Sequence, residues 1–423
     1  MGLSDFPWTA GASPASTEKG GRDARGPVGM SGQLSGIRVV DLTRILAGPF
    51  CTVMLADMGA EVIKVETPGQ GDPLRGQGAI RDGLSWYFAA FNRNKKSLTL
   101  NLRIDEGKAA LARLIAASDV LVENYRPGVL AAMGFDDARL RALKPDLVVC
   151  SLSGFGDSGP YRDRPSFDFI AQAMSGFMAV TGEFDGAPMR AGPPIADLVA
   201  GLYGALGICA ALVRRGNTGA GERVGSSLNS GLMSLLGFLA ANYFATGQVP
   251  ARSGNDHAIV SPYGLFRTRD GEVAIAPSQE QSYQRLIDAL GAVEWRADPR
   301  FASNDLRLKN RAAMNEAVEG KLAGANAAEW IERLNAAGVP CGRVMGLPEV
   351  FADPQVLAQE MVLSQEHPGH GMVRMLGFPV KFAEAPCELR LPAPEIGADS
   401  EAVLTGLGYS AAEVAGLRAA GIV

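Results

Sequence analysis

Histidine is nearly absent from this chain: three residues in 423, His257, His367 and His370, with none before position 257. A Ser-His-Asp hydrolase or a histidine-ligated metal enzyme would have to draw on those few, and no G-x-S-x-G turn accompanies them. Cysteine is sparse as well. Cys51, Cys150, Cys209, Cys341 and Cys387 lie far apart, without C-x-x-C or Cys/His spacing. That leaves no zinc motif and no disulfide framework, and it fits a reducing cytoplasm. An excess of one charge is missing too: 40 Lys and Arg against 45 Asp and Glu give a net charge of -5. Neither nucleic acid nor an anionic membrane is expected as a partner. The longest apolar run, Leu198–Val213, falls short of the ~20 residues a bilayer needs. Flanked by Asp197 and Arg214, it reads as a core helix. Residues 1–33 carry no apolar signal region and are rich in Gly, Ala and Ser, so they read as a flexible extension.

What is present is alternation. Ile37–Leu42 reads as a buried strand, Gly48–Gly59 as a helix and Glu61–Glu66 as a second strand. This compact βαβ unit implies a parallel sheet. Further strands are expected at Asp119–Asn124 and Asp146–Leu152, giving a Rossmann-like α/β domain. Leu198–Val213 and Leu228–Ala245 read as two long core helices. A hairpin in LFRTRDGEVAIAP and helices at Glu280–Leu290 and Ala327–Ala337 belong to a smaller α+β domain. The large domain is expected to occupy residues 34–254, the small one 255–340, and the chain to return to the large domain over 341–423, ending in a short helix pair.

Two carboxylates stand where chemistry could use them, Asp168 and Asp197. Asp197 lies where a Gly- and Pro-bearing loop, Arg190–Pro194, turns into the long apolar helix. An acid in the first helical turn faces unpaired N–H groups and the positive end of the dipole, so it is expected to stay ionised and to make a good carboxylate nucleophile. The ordinary alternative is that Asp197 only caps the helix. Gly154, Gly156 and Gly159 form a G-x-G-x-x-G after a strand, but PYRDRPSFD follows, with no helix N-terminus to receive a pyrophosphate. NAD binding is not expected. Basic residues cluster at Arg75, at Arg93/Lys95/Lys96/Arg103 and at Arg126, each near a strand end. Solvated surface charge is their default reading, yet ligands of open α/β sheets bind at such strand ends, and a phosphate-bearing ligand would suit these groups.

Seven motifs then carry a family resemblance: LSGIRVVDLTRILAGPFCTVMLADMGAEVIKVE, FNRNKKSLTLNL, DVLVENYRPG, FDFIAQAMSG, PIADLVAGLYGALGI, SPYGLF and GVPCG. Together they resemble the family III CoA-transferases, which include formyl-CoA transferase, carnitine CoA-transferase and α-methylacyl-CoA racemase. The resemblance runs from about Leu34 to Val423. It implies an interlocked homodimer, each chain pairing a Rossmann-like large domain with a small one, and coenzyme A entering as the acyl-CoA substrate. Asp197 matches the family's nucleophile. Leu46, Ala47, Leu100, Asn101, Leu102, Arg103, Asn124, Tyr125 and Arg126 match positions lining the CoA site. Thr67 and Ala132 stand where relatives carry basic CoA contacts, which leaves Arg103, Arg126 and Arg75 to hold the phosphates. In the racemase an Asp matching Asp168 works with a His. Here Phe167 precedes Asp168 and no partner base is in view, although proton exchange at carbon needs two.

The expected reaction is CoA transfer from an acyl-CoA, succinyl-CoA in particular, to a small dicarboxylic acid, with no metal or redox cofactor required. Asp197 attacks the thioester, forms a mixed anhydride and then an aspartyl-CoA thioester. Backbone N–H groups of Gly254 and Asn255 are candidate oxyanion donors. His257, with Arg190 and Arg252, is a candidate partner for the acceptor's second carboxylate. An acyl-CoA racemase or isomerase of the same fold, and a non-enzymatic CoA-binding scaffold, are the competing readings.

Overall fold

The computed structural model describes residues 32–423, so the expected N-terminal extension lies outside the described residues except at its last positions. Among these residues six parallel strands make the main sheet: β1 (Arg38–Asp41), β2 (Glu61–Glu66), β3 (Lys95–Thr99), β4 (Val120–Glu123), β5 (Val148–Ser153) and β6 (Glu222–Ser227). Their spatial order is β3-β2-β1-β4-β5-β6, the doubly wound arrangement, which reverses between β1 and β4. The central strands are buried on both faces and carry apolar stretches such as Val39–Val40 and Val148–Cys150, whereas the edge strand β6 is largely exposed.

One face is covered by α1 (Ala47–Asp57) and α5 (Ile195–Thr218), the other by α3 (Asp105–Ala116) and the C-terminal helices Ser400–Gly406 and Ala411–Ala419. The helices α2 (Trp86–Asn92), α4 (Asp168–Met174), α6 (Leu228–Ser234) and α7 (Gly237–Thr246) complete the part that matters for the site. α5 is 24 residues long, longer than its apolar run, and it is long and apolar enough to cross a membrane by length and composition. Small residues on one of its faces, Ala196, Ala200, Gly201, Gly204 and Ala205, are buried against α1 and the sheet. A Cβ on Gly201 would lie 2.6 Å from the Ala47 carbonyl oxygen. Only glycine allows these two helices to meet there.

Two expectations change. The helix expected over Leu228–Ala245 breaks into α6 and α7 at Gly237, which takes φ +49°. The basic stretch after Phe91 is mostly interior. Arg93 pairs with Asp57 at 2.8 Å, Lys95 with Asp41 at 3.0 Å and Lys96 with Glu61 at 2.6 Å. Buried charges must be paired, and the partners come from β1, β2 and the end of α1. A separate core from Phe266 to Val339 is built on the antiparallel strands β7 (Gly264–Arg267) and β8 (Glu272–Ile275). A hairpin that the sequence reading did not foresee, Val362–His367 with Gly371–Leu376, packs Val373 and Met375 against Leu74, Leu84 and Phe88.

Candidate active site

The β1–α1 turn crosses the switch point, and three side chains hold its backbone. The N–H of Thr43 donates to Asp41 at 2.9 Å, that of Arg44 to Asn124 Oδ1 at 3.0 Å, and that of Ile45 to Asp72 Oδ1 at 3.1 Å. Asn124 also donates to the Arg44 carbonyl at 2.8 Å. Leu46 and Ala47 follow, both buried, at the start of α1. Through the Gly201 contact, this start abuts α5 one helical turn beyond Asp197.

Asp197 is half-buried in the first turn of α5, and its carboxylate has no hydrogen-bond partner among the described residues. The cap is supplied from elsewhere: Asp168 Oδ1 accepts the Ala196 N–H at 2.8 Å, while Oδ2 accepts from Gln172 Nε2 at 2.7 Å. Gln172 in turn takes the Ala191 N–H at 2.8 Å, tying down the loop that enters α5. Asp197 is therefore not the cap. Burial, and then the neighbouring Asp168 charge, push its carboxyl up to about 7. This corrects the expectation that the helix start keeps it fully ionised: desolvation and a like charge outweigh the dipole. The phenol of Tyr87 on α2 is raised by burial and then by the charges of Asp197 and Asp168. It packs edge-on against Phe91, with centroids 5.5 Å apart. Neither Tyr87 nor Gln172 stood out in the sequence, where no catalytic motif marks either of them.

Six of the CoA-lining candidates line two neighbouring cavities, whereas Leu46, Ala47 and Asn124 line neither. Leu100, Asn101, Leu102, Arg103 and Tyr125 line one of about 480 Å³, together with Arg44 and Thr67. Arg126 lines the other, of about 520 Å³, with Arg162 and Arg223, and Tyr125 borders both. The guanidinium groups of Arg103 and Arg126 are exposed and unpartnered among the described residues. Arg44, overlooked in the sequence, extends over the Tyr125 ring at 5.7 Å. Ala132 is exposed on the short helix Val129–Ala132. Arg75 does not fit the phosphate role. It forks onto Glu66 at 2.9 and 2.8 Å, donates to the Pro394 carbonyl at 2.9 Å and stacks 3.8 Å over Phe88.

The loop ahead of the small domain also departs from expectation. The Gly254 N–H donates to the Gly182 carbonyl at 3.0 Å, so it is not free for an oxyanion. Asn255 lines a different cavity, of about 550 Å³, with Tyr263 and Pro340. His257 stacks on Phe238 at 5.4 Å and against Tyr263 at 4.8 Å. Burial, and then the Arg311 charge, hold its imidazole below the ordinary value, which makes it a poor cation at neutral pH. Arg252 donates to the carbonyls of Gly186 and Ala179. Arg190 is exposed, and among the described residues its guanidinium donates only to the Gly192 carbonyl, at 3.3 Å. Among the described residues no group of three or more His, Cys, Asp or Glu side chains could hold a metal ion.

A sequence model of CoA-transferase family III matches residues 34–400. The succinate–glutarate CoA-transferase of Agrobacterium fabrum is 37% identical over 88% of this chain and 95% of its own length. The acetyl-CoA:oxalate CoA-transferase of Acetobacter aceti is 38% identical over 84% of this chain and 91% of its own. Among solved structures, a CAIB/BAIF family protein from Brucella suis superposes with a TM-score of 0.78 at 37% identity, covering 89% of this chain and all of that one.

Proposed function

The chain belongs to CoA-transferase family III, and from that premise we propose that it moves CoA from succinyl-CoA to a four- or five-carbon dicarboxylic acid through covalent intermediates on Asp197. One observation carries the role of Asp197. Its carboxylate is desolvated, feels the charge of a second carboxylate and accepts no hydrogen bond among the described residues. Such a group costs the fold stability, and chemistry is what it is good for. A carboxyl near 7 is still ionised in useful amount at neutral pH, and its higher basicity makes it a better nucleophile than an ordinary aspartate.

Asp197 Oδ attacks the thioester carbonyl carbon. The tetrahedral oxyanion collapses, CoA leaves as the thiolate, and a mixed anhydride remains. The thiolate then attacks the aspartyl carbonyl carbon of that anhydride, forms the aspartyl-CoA thioester and releases the donor acid as carboxylate. The acceptor carboxylate attacks this thioester, expels the thiolate again and forms a second anhydride. Attack of the thiolate on the acceptor's carbonyl carbon yields the new acyl-CoA and frees Asp197. No proton is gained or lost over the cycle. Leu46, Ala47, the Leu100–Arg103 segment, Asn124, Tyr125 and Arg126 would seat the CoA, with Arg103 and Arg126 offered to its phosphates.

Racemisation is the weaker alternative, because both oxygens of Asp168 are already taken and His257 is stacked in an aromatic cluster. A homodimer belongs to the same proposal. Leu202, Leu206 and Val213 on α5 are 53, 62 and 69% exposed, and Phe244 on α7 is 82% exposed. An apolar face of that kind calls for a covering surface, here a second copy. Five free cysteines and no disulfide among the described residues support a cytoplasmic setting.

The test offers succinyl-CoA with a panel of acids, follows thioester exchange, and traps the acylated enzyme with hydroxylamine. Glutarate, mesaconate or citramalate should be converted, and Asp197→Asn should neither turn over nor yield a hydroxamate. Butyrate or valerate matching glutarate in kcat/KM would overturn the dicarboxylate assignment, and full turnover by Asp197→Asn would remove the nucleophile.

A further inference from the structure

We infer that the buried Lys64–Asp72 ion pair is a positioning device for the transfer site: it holds the strained turn Thr43–Arg44–Ile45, and so sets where Leu46 and Ala47 stand relative to Asp197. This rests on the reading that Asp197 is the nucleophile and that residues 46 and 47 line the CoA site.

Ile45 has φ +67°. The other non-glycine residues in that region among the described ones are Asp82, Asn94 and Glu360. Asp and Asn tolerate left-handed backbone through short polar side chains. A β-branched residue does not, because its Cβ substituents crowd the backbone, so Ile45 stays there only if its surroundings impose it.

The imposition is visible atom by atom. Asp72 takes the Ile45 N–H at 3.1 Å and the Leu74 N–H at 2.9 Å on the same oxygen, while its other oxygen pairs with Lys64 Nζ at 2.8 Å. Lys64 Nζ also donates to the Thr43 carbonyl at 2.8 Å. The ion pair thus grips the backbone on both sides of Arg44, and Asn124 grips Arg44 itself. Both charged side chains are essentially out of solvent, at 0 and 1% exposure. Asp72 is fixed in its turn, since its own N–H donates to Glu66 at 2.8 Å.

A buried ion pair adds little stability over apolar side chains of the same volume; what it adds is direction. Here the direction matters because the next two residues lead into the contact between Ala47 and Gly201, one turn from Asp197. With α1 and α5 locked at that point, the conformation of residues 43–45 decides how the CoA-facing backbone meets the acyl group. Small displacements of that kind reduce turnover more than binding.

The test is a double-mutant cycle of Asp72→Asn and Ile45→Gly, using a donor–acid pair on which the wild type turns over, with kcat and KM read separately well below each Tm. Asp72→Asn keeps an acceptor for the Ile45 N–H but breaks the ion pair. It should lower kcat by about tenfold or more, with KM for the acyl-CoA changed by less than about threefold. Glycine accepts φ near +67° without help, so in the Ile45→Gly background the same change should cost less than about threefold. Lys64→Met replaces Asp72→Asn in the cycle if the latter does not fold. Equal losses in both backgrounds, or unchanged kcat in Asp72→Asn, overturn the inference. A wild type inactive on dicarboxylates but active on another acid would count against the substrate assignment alone, and the cycle then runs on that acid.

Discussion

The Asp197 carboxyl stands near 7 in the folded chain, against 3.8 for an ordinary aspartate. Between those values the folded state keeps a proton that the unfolded state has lost, so stability falls as pH rises through this window, and the full cost is present above about 7. Asp197→Asn removes that cost. It should abolish transfer and yet raise Tm at pH 8, with much less gain at pH 5, by parallel thermal scans; an equal gain at both would mean that the carboxyl is not perturbed. For the same reason wild-type kcat/KM should climb as pH rises through about 7. The arginines divide by commitment. Arg126→Ala and Arg103→Ala should weaken CoA-ester binding by about 1.5–3 kcal/mol each and affect a pantetheine thioester far less. Arg75→Ala, whose fork is spent on Glu66, should lower Tm and leave a truncated and a full substrate equally affected. Calorimetric titration of the three variants against both ligands separates these roles.

At the scale of elements, the crossing of α1 and α5 places Asp197, the proposed nucleophile. Gly201 meets the Ala47 carbonyl, Phe50 and the Cys51 amide, all within 3.2 Å of where a Cβ would stand. Backbone atoms cannot swing aside as a flexible side chain can. Gly201→Ala should therefore cost about 1–3 kcal/mol in denaturant unfolding. It should also depress kcat, by pushing the first turn of α5 away from Ala47. A variant as stable and active as wild type would mean that the helices part freely. The loop entering α5 is held separately, through Ala191, Gln172 and Asp168. In this fold Asp168 caps the start of α5 through the Ala196 N–H, so Asp197 is not needed as the cap.

For the molecule as a whole, the exposed apolar face of α5 and α7 is the surface that the proposed homodimer would cover. If two chains cover it by threading through each other, they cannot part without unfolding. Differently tagged homodimers mixed under native conditions should remain unmixed over hours, with hybrids forming only after denaturation and refolding. Rapid hybrid formation would argue for a simple surface contact. Much of the large domain was legible in sequence, because the buried strands β1, β2, β4 and β5 are rich in apolar residues and alternate with helices at short range, whereas the polar strands β3 and β6 were not. The position of Asp197 at the start of an apolar helix was legible as well, but its local sequence fits a helix cap equally, and the proposed nucleophile role rests on the family resemblance. The ionisation of Asp197 was not legible, since desolvation and the Asp168 charge come from packing across residues far apart in the chain. The same holds for the basic residues. By spacing alone Arg75, Arg93, Lys95, Arg103 and Arg126 are equivalent cations near strand ends. Only the folded chain brings Glu66, Asp57 and Asp41 against the first three, and leaves the last two open at the cavities. A local pattern determines which backbone a segment prefers, whereas the partner of a charge is chosen by contacts between distant segments, and those exist only once the sheet has formed.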